Sequence, residues 1–386
     1  MREEPLLAYV LTHHSVPNFG ANLQAYATST ALRARGINAV FIDYMPDELR
    51  QKYRASVSKE QLDAHKYFIA KNLTLSTGVS TLSEFSDLCQ ACPADIYITG
   101  SDAVFRIDES SKREDLNFPN PYWLSVVSRE VSRKYIKVAL SPSAMGTNYA
   151  KLNRAIRCGI GHALNDFQLL SVRDPWTKSQ LLGTGFKGQI DLVPDPVFSL
   201  ADYIQSQAKN SVVSKPYIVL TTQGAKTKNW IESFTKIAEK FGYETVAVPT
   251  PEGVLDQGTS RKIDVPLDPI DWLDIHARSS GYVGARFHPV VVSLCAGVPV
   301  VSLDMYHKYP FSRRKSKTWL VMRDFGLSNF CFGRLVSDFV SPNFVWGRLA
   351  HQRRYIPEKM RIAIFHKSIV ENWFNKILEV ATCTKN

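Results

Sequence analysis

Short apolar runs of strand length alternate with segments of helical periodicity along most of the chain. The first unit consists of the run Leu6 to Leu11, apolar residues at helical spacing from Leu23 to Ala31, and a second run, Ala39 to Tyr44. Such a short strand–helix–strand connection favours a right-handed crossover between parallel strands. Further strand-like runs follow at Asp95–Thr99, Lys137–Leu140, Gln168–Val172 and Gln189–Val193. The pattern predicts an α/β domain over residues 1–205.

A second alternation begins after the polar stretch Ser206 to Ser214, which we interpret as a linker. The strands predicted in it are Tyr217–Thr221, Thr245–Val248, Gly281–Gly284 and Val298–Leu303, and the helices are Trp230–Phe241, Asp271–Arg278 and His288–Ala296. We therefore predict two Rossmann-like domains, 1–205 and 206–350, that face a cleft where ligands prefer to bind. Residues 351–386 are predicted to contain an amphipathic helix, Pro357 to Val380, that docks on the rest of the protein.

The composition is that of an ordinary globular protein with an excess of positive charge. The 386 residues include 47 Lys and Arg against 36 Asp and Glu, and 45% are hydrophobic, which excludes wholesale disorder. No apolar stretch reaches the roughly 20 residues that cross a bilayer, and the N-terminus lacks a signal-peptide pattern. We therefore expect a cytoplasmic protein.

The formal charge of +11 is compatible with nucleic acid, an anionic membrane surface or an anionic substrate as partner. The chain has no nucleic-acid motif, so we expect no nucleic-acid partner. The densest basic cluster is Arg313, Arg314, Lys315 and Lys317. It is either a solvated surface or a contact with a membrane or a pyrophosphate group.

Two loops of the first predicted domain carry candidate site residues. In the segment Asn18 to Tyr26, Gly20 would let a ligand approach bare backbone N–H groups at a helix N-terminus, which suits an anion. The alternative is a tight turn capped by Asn18. The loop Thr99 to Asp102 follows a strand and offers a hydroxyl and a carboxylate, although Asp102 is equally suited to capping a helix.

Two further loops pair a cation with a second polar group. Arg173 in Ser171-Val172-Arg173-Asp174 is either an anion clamp or half of a structural ion pair. Arg286 and His288 lie where a predicted strand gives way to a helix, and they combine a permanent cation with a group that titrates near neutral pH. This pairing suits an anionic substrate whose reaction moves a proton, and the alternative is a packed helical histidine.

The sequence lacks the characteristic motifs of several enzyme classes. It contains no Walker loop, GxGxxG, GxSxG, HExxH or kinase signature. Its six cysteines do not form a disulfide framework, and the single CxxC, Cys89 to Cys92, lacks the second pair of a structural zinc site.

Taken in order, the motifs resemble the polysaccharide pyruvyl transferase family. The resemblance runs from Asn18 to Lys308 through Gly100-Ser101-Asp102, Ser171-Val172-Arg173-Asp174, Asp195-Pro196, Arg286-Phe287-His288 and Gly297-Val298-Pro299 to Tyr306. Two departures stand out. Ala103 to Arg106 replaces the Gln-Ile/Val-Trp-Asn that the family often has, and Pro289 follows His288 where Gly or Ala is frequent.

The resemblance implies a GT-B-like fold and the transfer of pyruvate from phosphoenolpyruvate to two hydroxyls of a hexose, forming a cyclic ketal of the 4,6 type. It implies no metal or nucleotide cofactor. The donor would be held by Arg173, Arg286, His288 and Lys308. His288 is our hypothesis for the general acid, and Asp102 is our candidate for orienting or deprotonating the acceptor hydroxyl. The remaining candidates for acceptor or backbone contacts are Asn18, Gly20, Asn22, Gln24 and Ser101.

The acceptor expected from this resemblance is a sugar on a polyprenyl pyrophosphate carrier at the inner membrane face. One alternative is a GT-B glycosyltransferase that uses a nucleotide sugar, for which Asp304 is the sole candidate ribose ligand in the C-terminal half. The other alternative is a non-catalytic sugar- or membrane-binding relative. The sequence makes no prediction of the oligomeric state.

Overall fold

The computed structural model describes residues 5–127, 134–209, 215–305 and 310–385, which contain two parallel β-sheets flanked by helices. In the described residues, the first sheet has seven strands in the spatial order β3-β2-β1-β4-β5-β6-β7. They are β1 (Leu7–Leu11), β2 (Asn38–Phe41), β3 (Thr74–Leu75), β4 (Ile96–Thr99), β5 (Ile136–Ala139), β6 (Leu169–Val172) and β7 (Asp191–Leu192). Every strand pair in this sheet is parallel.

The second sheet repeats this topology in the order β10-β9-β8-β11-β12-β13. Its strands are β8 (Tyr217–Thr221), β9 (Glu244–Ala247), β10 (Arg261–Lys262), β11 (Gly281–Gly284), β12 (Val300–Asp304) and β13 (Cys331–Gly333). In each sheet the chain winds outward from the first strand and then reverses direction, so β1 and β4, like β8 and β11, flank a topological switch point. A crevice for ligands opens there at the carboxyl ends of the strands.

Fourteen α-helices connect these strands in the described residues. Those associated with the first sheet are α1 (Phe19–Arg33), α2 (Asp47–Ser56), α3 (Lys59–Asn72), α4 (Leu82–Ala91), α5 (Arg154–Leu164), α6 (Pro175–Leu182) and α7 (Ala201–Lys209). The others are α8 (Lys228–Lys240), α9 (Pro269–Ala277), α10 (Phe287–Cys295), α11 (Lys317–Asp324), α12 (Arg334–Ser337), α13 (Pro342–Gln352) and α14 (Ile356–Lys385).

Side-chain caps fix where several of these helices begin. Asn18 accepts a hydrogen bond from the Ala21 amide at the start of α1, over 3.1 Å. Asp174 and Ser316 cap α6 and α11 in the same way. Each cap satisfies an amide that would otherwise lack a partner in the first helical turn.

The predicted α/β fold with two Rossmann-like sheets is confirmed, and most predicted strands and helices agree within a few residues. The sequence did not predict β3, β10 or β13, because strands of two or three residues show no periodicity. The stretch Pro46 to Thr81, for which no element was predicted, contains α2, α3 and β3. The predicted linker begins inside α7, which ends at Lys209. The domain limits 1–205, 206–350 and 351–386 stay a prediction.

One apolar core joins the two sheets. It contains Val10 of β1, Phe19 of α1 and Trp272 of α9, among other residues. The Phe19 and Trp272 rings stack with their centroids 5.4 Å apart and their planes 12° apart. Nearby, the Gln61 side chain donates to the Leu267 carbonyl and accepts from the Leu267 amide, over 2.9 and 2.7 Å. The helices of the first sheet are therefore packed directly against those of the second.

The C-terminal helix α14 lies across this junction and contacts α1, α7 and α10. Its Val370, Phe374 and Ile377 are fully buried. At its edge, Arg35 and Glu371 form an ion pair of 2.7 Å. No helix in the described part of the chain combines the length and apolarity that crossing a membrane requires.

We expect Ile377→Ala to lower the free energy of unfolding by about 2–5 kcal/mol, because it leaves a cavity in a fully buried site. Ile364→Ala on the same helix is the control, since that side chain is 38% exposed. Urea unfolding monitored by circular dichroism measures both variants. Equal free energies of unfolding for the two variants would contradict the burial of this face of α14 in the core.

Candidate active site

A cavity of about 380 Å³ lies where the carboxyl edges of the two sheets face each other. The first sheet contributes His13 after β1 and Asp102 after β4. The second contributes Thr221 at the end of β8 and Arg286 after β11. These four positions flank the two topological switch points, so the sheet order alone brings them together.

The buried carboxylate of Asp195, which follows β7, connects groups from both halves of the protein. Its Oδ2 accepts hydrogen bonds from Arg173 Nη1 over 2.7 Å and from the Ser101 hydroxyl over 3.1 Å. His288 Nε2 of α10 lies 3.7 Å from the same oxygen. Asp195 is therefore the common partner of three predicted site residues.

Arg173 and His288 keep unused hydrogen-bonding capacity around this carboxylate. Arg173 Nε and Nη2 and His288 Nε2 are buried and have no hydrogen-bond partner among the described residues. Burial raises the pKa of Asp195, but the neighbouring His288 and Arg173 lower it by more, so the carboxylate is ionised. Buried donors without partners are costly in a folded protein, so these N–H groups are suited to an incoming anion.

Arg173 and Asp195 line a smaller adjoining cavity of about 230 Å³. Phe287 and Lys317 line both cavities and so form the boundary between them. The Arg173 guanidinium lies 4.6 Å from the Phe287 ring centroid, and Lys317 Nζ lies 5.2 Å from it. Cations at these distances are attracted to the face of an aromatic ring.

Asp102 is a second acidic centre in the main cavity. Burial raises its pKa, but electrostatic interactions with surrounding groups bring the pKa down to about 2. The interaction with Lys317 has the largest effect, followed by those with His13, Arg173 and His288. Asp102 also has a φ of 78°, in the left-handed region that non-glycine residues rarely occupy. Its backbone conformation is therefore one that the surrounding loop has to impose.

Burial lowers the pKa of both Lys317 and His13 in this cavity. For His13 the lowered pKa favours the neutral imidazole, which is the form that can accept a proton. The Lys317 ammonium interacts with Asp102, Arg173, Asp195 and Arg286. Lys317 therefore lies at the centre of the charged groups.

Gly20 explains how α1 can approach the catalytic histidine candidate. A Cβ atom built on Gly20 would lie 2.0 Å from His288 Nδ1, a distance that no real Cβ tolerates. The bare backbone at the start of α1 therefore packs directly against the imidazole ring. A glycine is required here by the close approach of a ring from the other sheet.

The sequence matches the polysaccharide pyruvyl transferase family over residues 18–305. The chain belongs to this family. The transferase thus has a role in pyruvyl transfer during polysaccharide synthesis. No curated protein matches this pyruvyltransferase significantly.

Solved structures of similar fold support the GT-B-like architecture. One is a putative UDP-N-acetylglucosamine 2-epimerase from Listeria monocytogenes, at 12% identity and a TM-score of 0.55, with 96% of this chain and 94% of that chain covered. Another is UGT89C1 of Arabidopsis thaliana complexed with UDP, at 12% identity and a TM-score of 0.53, with 99% and 100% covered. At this identity the likeness concerns the fold alone.

The structure brings most of the predicted site residues of the pyruvyltransferase to one region. Asn18, Gly20, Asp102, Arg286 and His288 line the main cavity. Arg173 lines the adjoining one. Lys308 lies outside the described residues. The roles of all these residues stay predictions.

Three further candidates of the pyruvyltransferase lie behind the cavity wall. Asn22 Nδ2 donates to the His14 carbonyl over 2.8 Å, and its Oδ1 accepts a hydrogen bond from His65 Nδ1 over 2.6 Å. Gln24 donates to the Thr12 hydroxyl over 2.6 Å. Ser101 donates to Asp195. All three are fully buried and support the loops that carry the lining residues.

The pyruvyltransferase site also contains residues that the sequence interpretation missed. Asp195 was named from the sequence only within the Asp-Pro motif of the family resemblance, and His13 was not singled out. Lys317 was grouped with the basic cluster of Arg313, Arg314 and Lys315, but Ser316 caps α11 directly before it and α11 packs against α10. Asp304, the carboxylate considered for a nucleotide ribose, is fully buried and accepts a hydrogen bond from Ser316. Position after a predicted strand was the usable signal for His13 and Asp195.

We expect Gly20→Ala to reduce turnover of the pyruvyltransferase by about a hundredfold, because the new methyl group displaces the imidazole of His288. This is the same reduction that we expect when the His288 side chain is removed. Gly347→Ala is the control, since its added Cβ meets no atom within 4 Å. Steady-state kinetics on both variants makes the comparison. Unchanged turnover in Gly20→Ala would contradict a catalytic position for His288.

Proposed function

We propose that the enzyme transfers the pyruvyl group of phosphoenolpyruvate to two hydroxyls of a hexose in a polysaccharide precursor, forming a cyclic ketal and releasing phosphate. The observation that carries the proposal is the convergence of Arg286, His288 and Lys317 on one cavity. Phosphoenolpyruvate carries a carboxylate and a phosphate, and both are anions that arginine and lysine bind well.

The donor site combines cations from both halves of the protein. Arg286 is the N-cap residue directly before α10 and is half-buried, and its Nε has no hydrogen-bond partner among the described residues. Arg173 is oriented by Asp195, and its Nε and Nη2 are buried without a hydrogen-bond partner in the part of the chain that the structure describes. We assign the phosphate and carboxylate of the donor to these two guanidinium groups and Lys317. A water-excluded site strengthens such interactions.

The reaction then requires proton transfers at both substrates. A proton is added to the methylene carbon of phosphoenolpyruvate, which leaves an oxocarbenium centre at the neighbouring carbon. One sugar hydroxyl attacks this centre and loses its proton, and the C–O bond to phosphate breaks. The second hydroxyl closes the ring and also loses its proton. His288 is our candidate for the acid, and Asp102 and the neutral His13 are our candidates for accepting hydroxyl protons.

The remaining wall of the cavity is suited to a sugar. It contains Tyr53 of α2, Glu252 after β9, and Asp115 paired with Arg113. An aromatic ring with carboxylates around it can cover one sugar face and hydrogen-bond its hydroxyls. We assign the acceptor to this wall, with a 4,6-ketal as the product and a polyprenyl pyrophosphate as the carrier of the sugar.

Thermal unfolding with millimolar phosphoenolpyruvate, beside UDP-sugars at the same concentration, tests the donor. We expect phosphoenolpyruvate to raise the melting temperature by stabilising the native state, and Arg286→Ala to abolish this rise. Arg278→Ala is the matched control, because it removes an equal charge at an exposed position outside the cavity. A rise with UDP-sugars alone would overturn the proposal in favour of a glycosyltransferase.

The lowered pKa of Lys317 predicts a pH dependence. As the pH rises through this pKa, the ammonium loses its charge and donor binding weakens, at a lower pH than for an ordinary lysine. We expect kcat/KM for phosphoenolpyruvate to fall on the alkaline side, and Lys317→Arg to move that fall to higher pH. An alkaline limb that is identical in both proteins would assign it to another group.

A further inference from the structure

Four large apolar side chains are exposed within a short stretch after β13. Leu335, Val336, Phe339 and Phe344 expose 42%, 54%, 89% and 46% of their surface. We call them the α12 patch. Isolated exposed apolar residues are common, but a cluster of them is typical of a surface that contacts another protein, a membrane or a ligand.

Contacts from the rest of the protein hold the α12 patch in place. The buried Lys226 donates hydrogen bonds to the carbonyls of Ser337 and Val340, on either side of Phe339. The Phe339 amide donates to the Val336 carbonyl over 3.1 Å, and Phe344 packs on Phe332 of β13 with ring centroids 5.7 Å apart. The exposed apolar side chains therefore lie on a segment that hydrogen bonds and ring packing hold in place.

The predicted basic cluster follows β12, the strand that neighbours β13 in the second sheet. Gly333 pairs with Asp304 across β13 and β12, so α12 and the segment after β12 leave the same edge of the sheet. Ser316 donates to Asp304, which holds Arg313, Arg314 and Lys315 near that edge. All three of these side chains are exposed.

We propose that the α12 patch, together with Arg313, Arg314 and Lys315, binds the surface of an anionic bilayer. Apolar side chains beside cations fit the boundary between acyl chains and negatively charged headgroups, and the formal charge of +11 adds long-range attraction. The cations are attracted to the negative charge of the bilayer. A purely electrostatic contact would not account for the exposed apolar side chains, whereas a bilayer can bury them.

This surface lies at the same edge of the second sheet as Thr221 and Arg286 of the main cavity. Membrane binding would therefore hold the cavity close to the bilayer, where a lipid-linked sugar presents its hydroxyls. That consequence rests on the proposed function, whereas membrane binding itself does not. A failure of vesicle binding and a failure of donor binding are therefore distinguishable by experiment.

The test is co-sedimentation of the full chain, without substrates, with phosphatidylcholine vesicles that contain about 30% phosphatidylglycerol. We expect binding that weakens with salt, and a loss of about tenfold in partition for the Val336→Ser, Phe339→Ser double variant. The Arg313→Gln, Arg314→Gln variant should lose about fivefold per cation on these vesicles and nothing on pure phosphatidylcholine.

Matched controls are Phe365→Ser on α14, where the ring is 63% exposed, and Lys66→Gln, Lys71→Gln on α3. Both should bind vesicles as the unsubstituted protein does, and all variants should keep its melting temperature. The proposal is wrong if the unsubstituted protein stays in the supernatant or if the controls lose as much binding. It is also overturned if the patch variants only dissociate a dimer in light scattering, which would make a second copy the occupant.

Discussion

The ionised, buried carboxylate of Asp195 is the constraint on which the arrangement of the site depends. A buried carboxylate is stable only when positive and hydrogen-bonding groups surround it, and here Arg173, Ser101 and His288 provide them. Together with Asp195, these residues come from three loops of the first sheet and from one helix of the second. The requirement to satisfy one charge therefore positions groups that are separated by nearly two hundred residues.

The same requirement leaves part of the site ready for a ligand. Arg173 donates a hydrogen bond from Nη1 to Asp195, and its other two nitrogens, Nε and Nη2, have no partner among the described residues. Lys317 and Arg286 add positive charge at the main cavity, and the Asp102 carboxylate adds a negative charge close to them. An anionic donor would complete this arrangement without a change in the fold.

The relative positions of the site residues are well defined because the two sheets share one apolar core. In many two-domain proteins a cleft is bounded by separately packed units. Here Phe19 and Trp272 stack across the junction, Gln61 forms two hydrogen bonds across it, and α14 covers it. The Gly20 backbone can consequently lie against His288 at van der Waals distance. In the second sheet, the side chains of the α12 patch and of Arg313, Arg314 and Lys315 are exposed.

The sequence by itself determined the two α/β units, most of their strands, and Arg286, His288, Asp102 and Arg173 as site candidates. Strand periodicity and residue type are local properties, and parallel strands carry polar residues at their carboxyl ends, so position along the chain was sufficient. Only the tertiary structure decided that Asp195 joins these groups, that Lys317 turns inward from a basic cluster, and that Asn22, Gln24 and Ser101 lie behind the wall. Burial, pairing and the direction of a side chain depend on residues distant in sequence, which no local pattern contains.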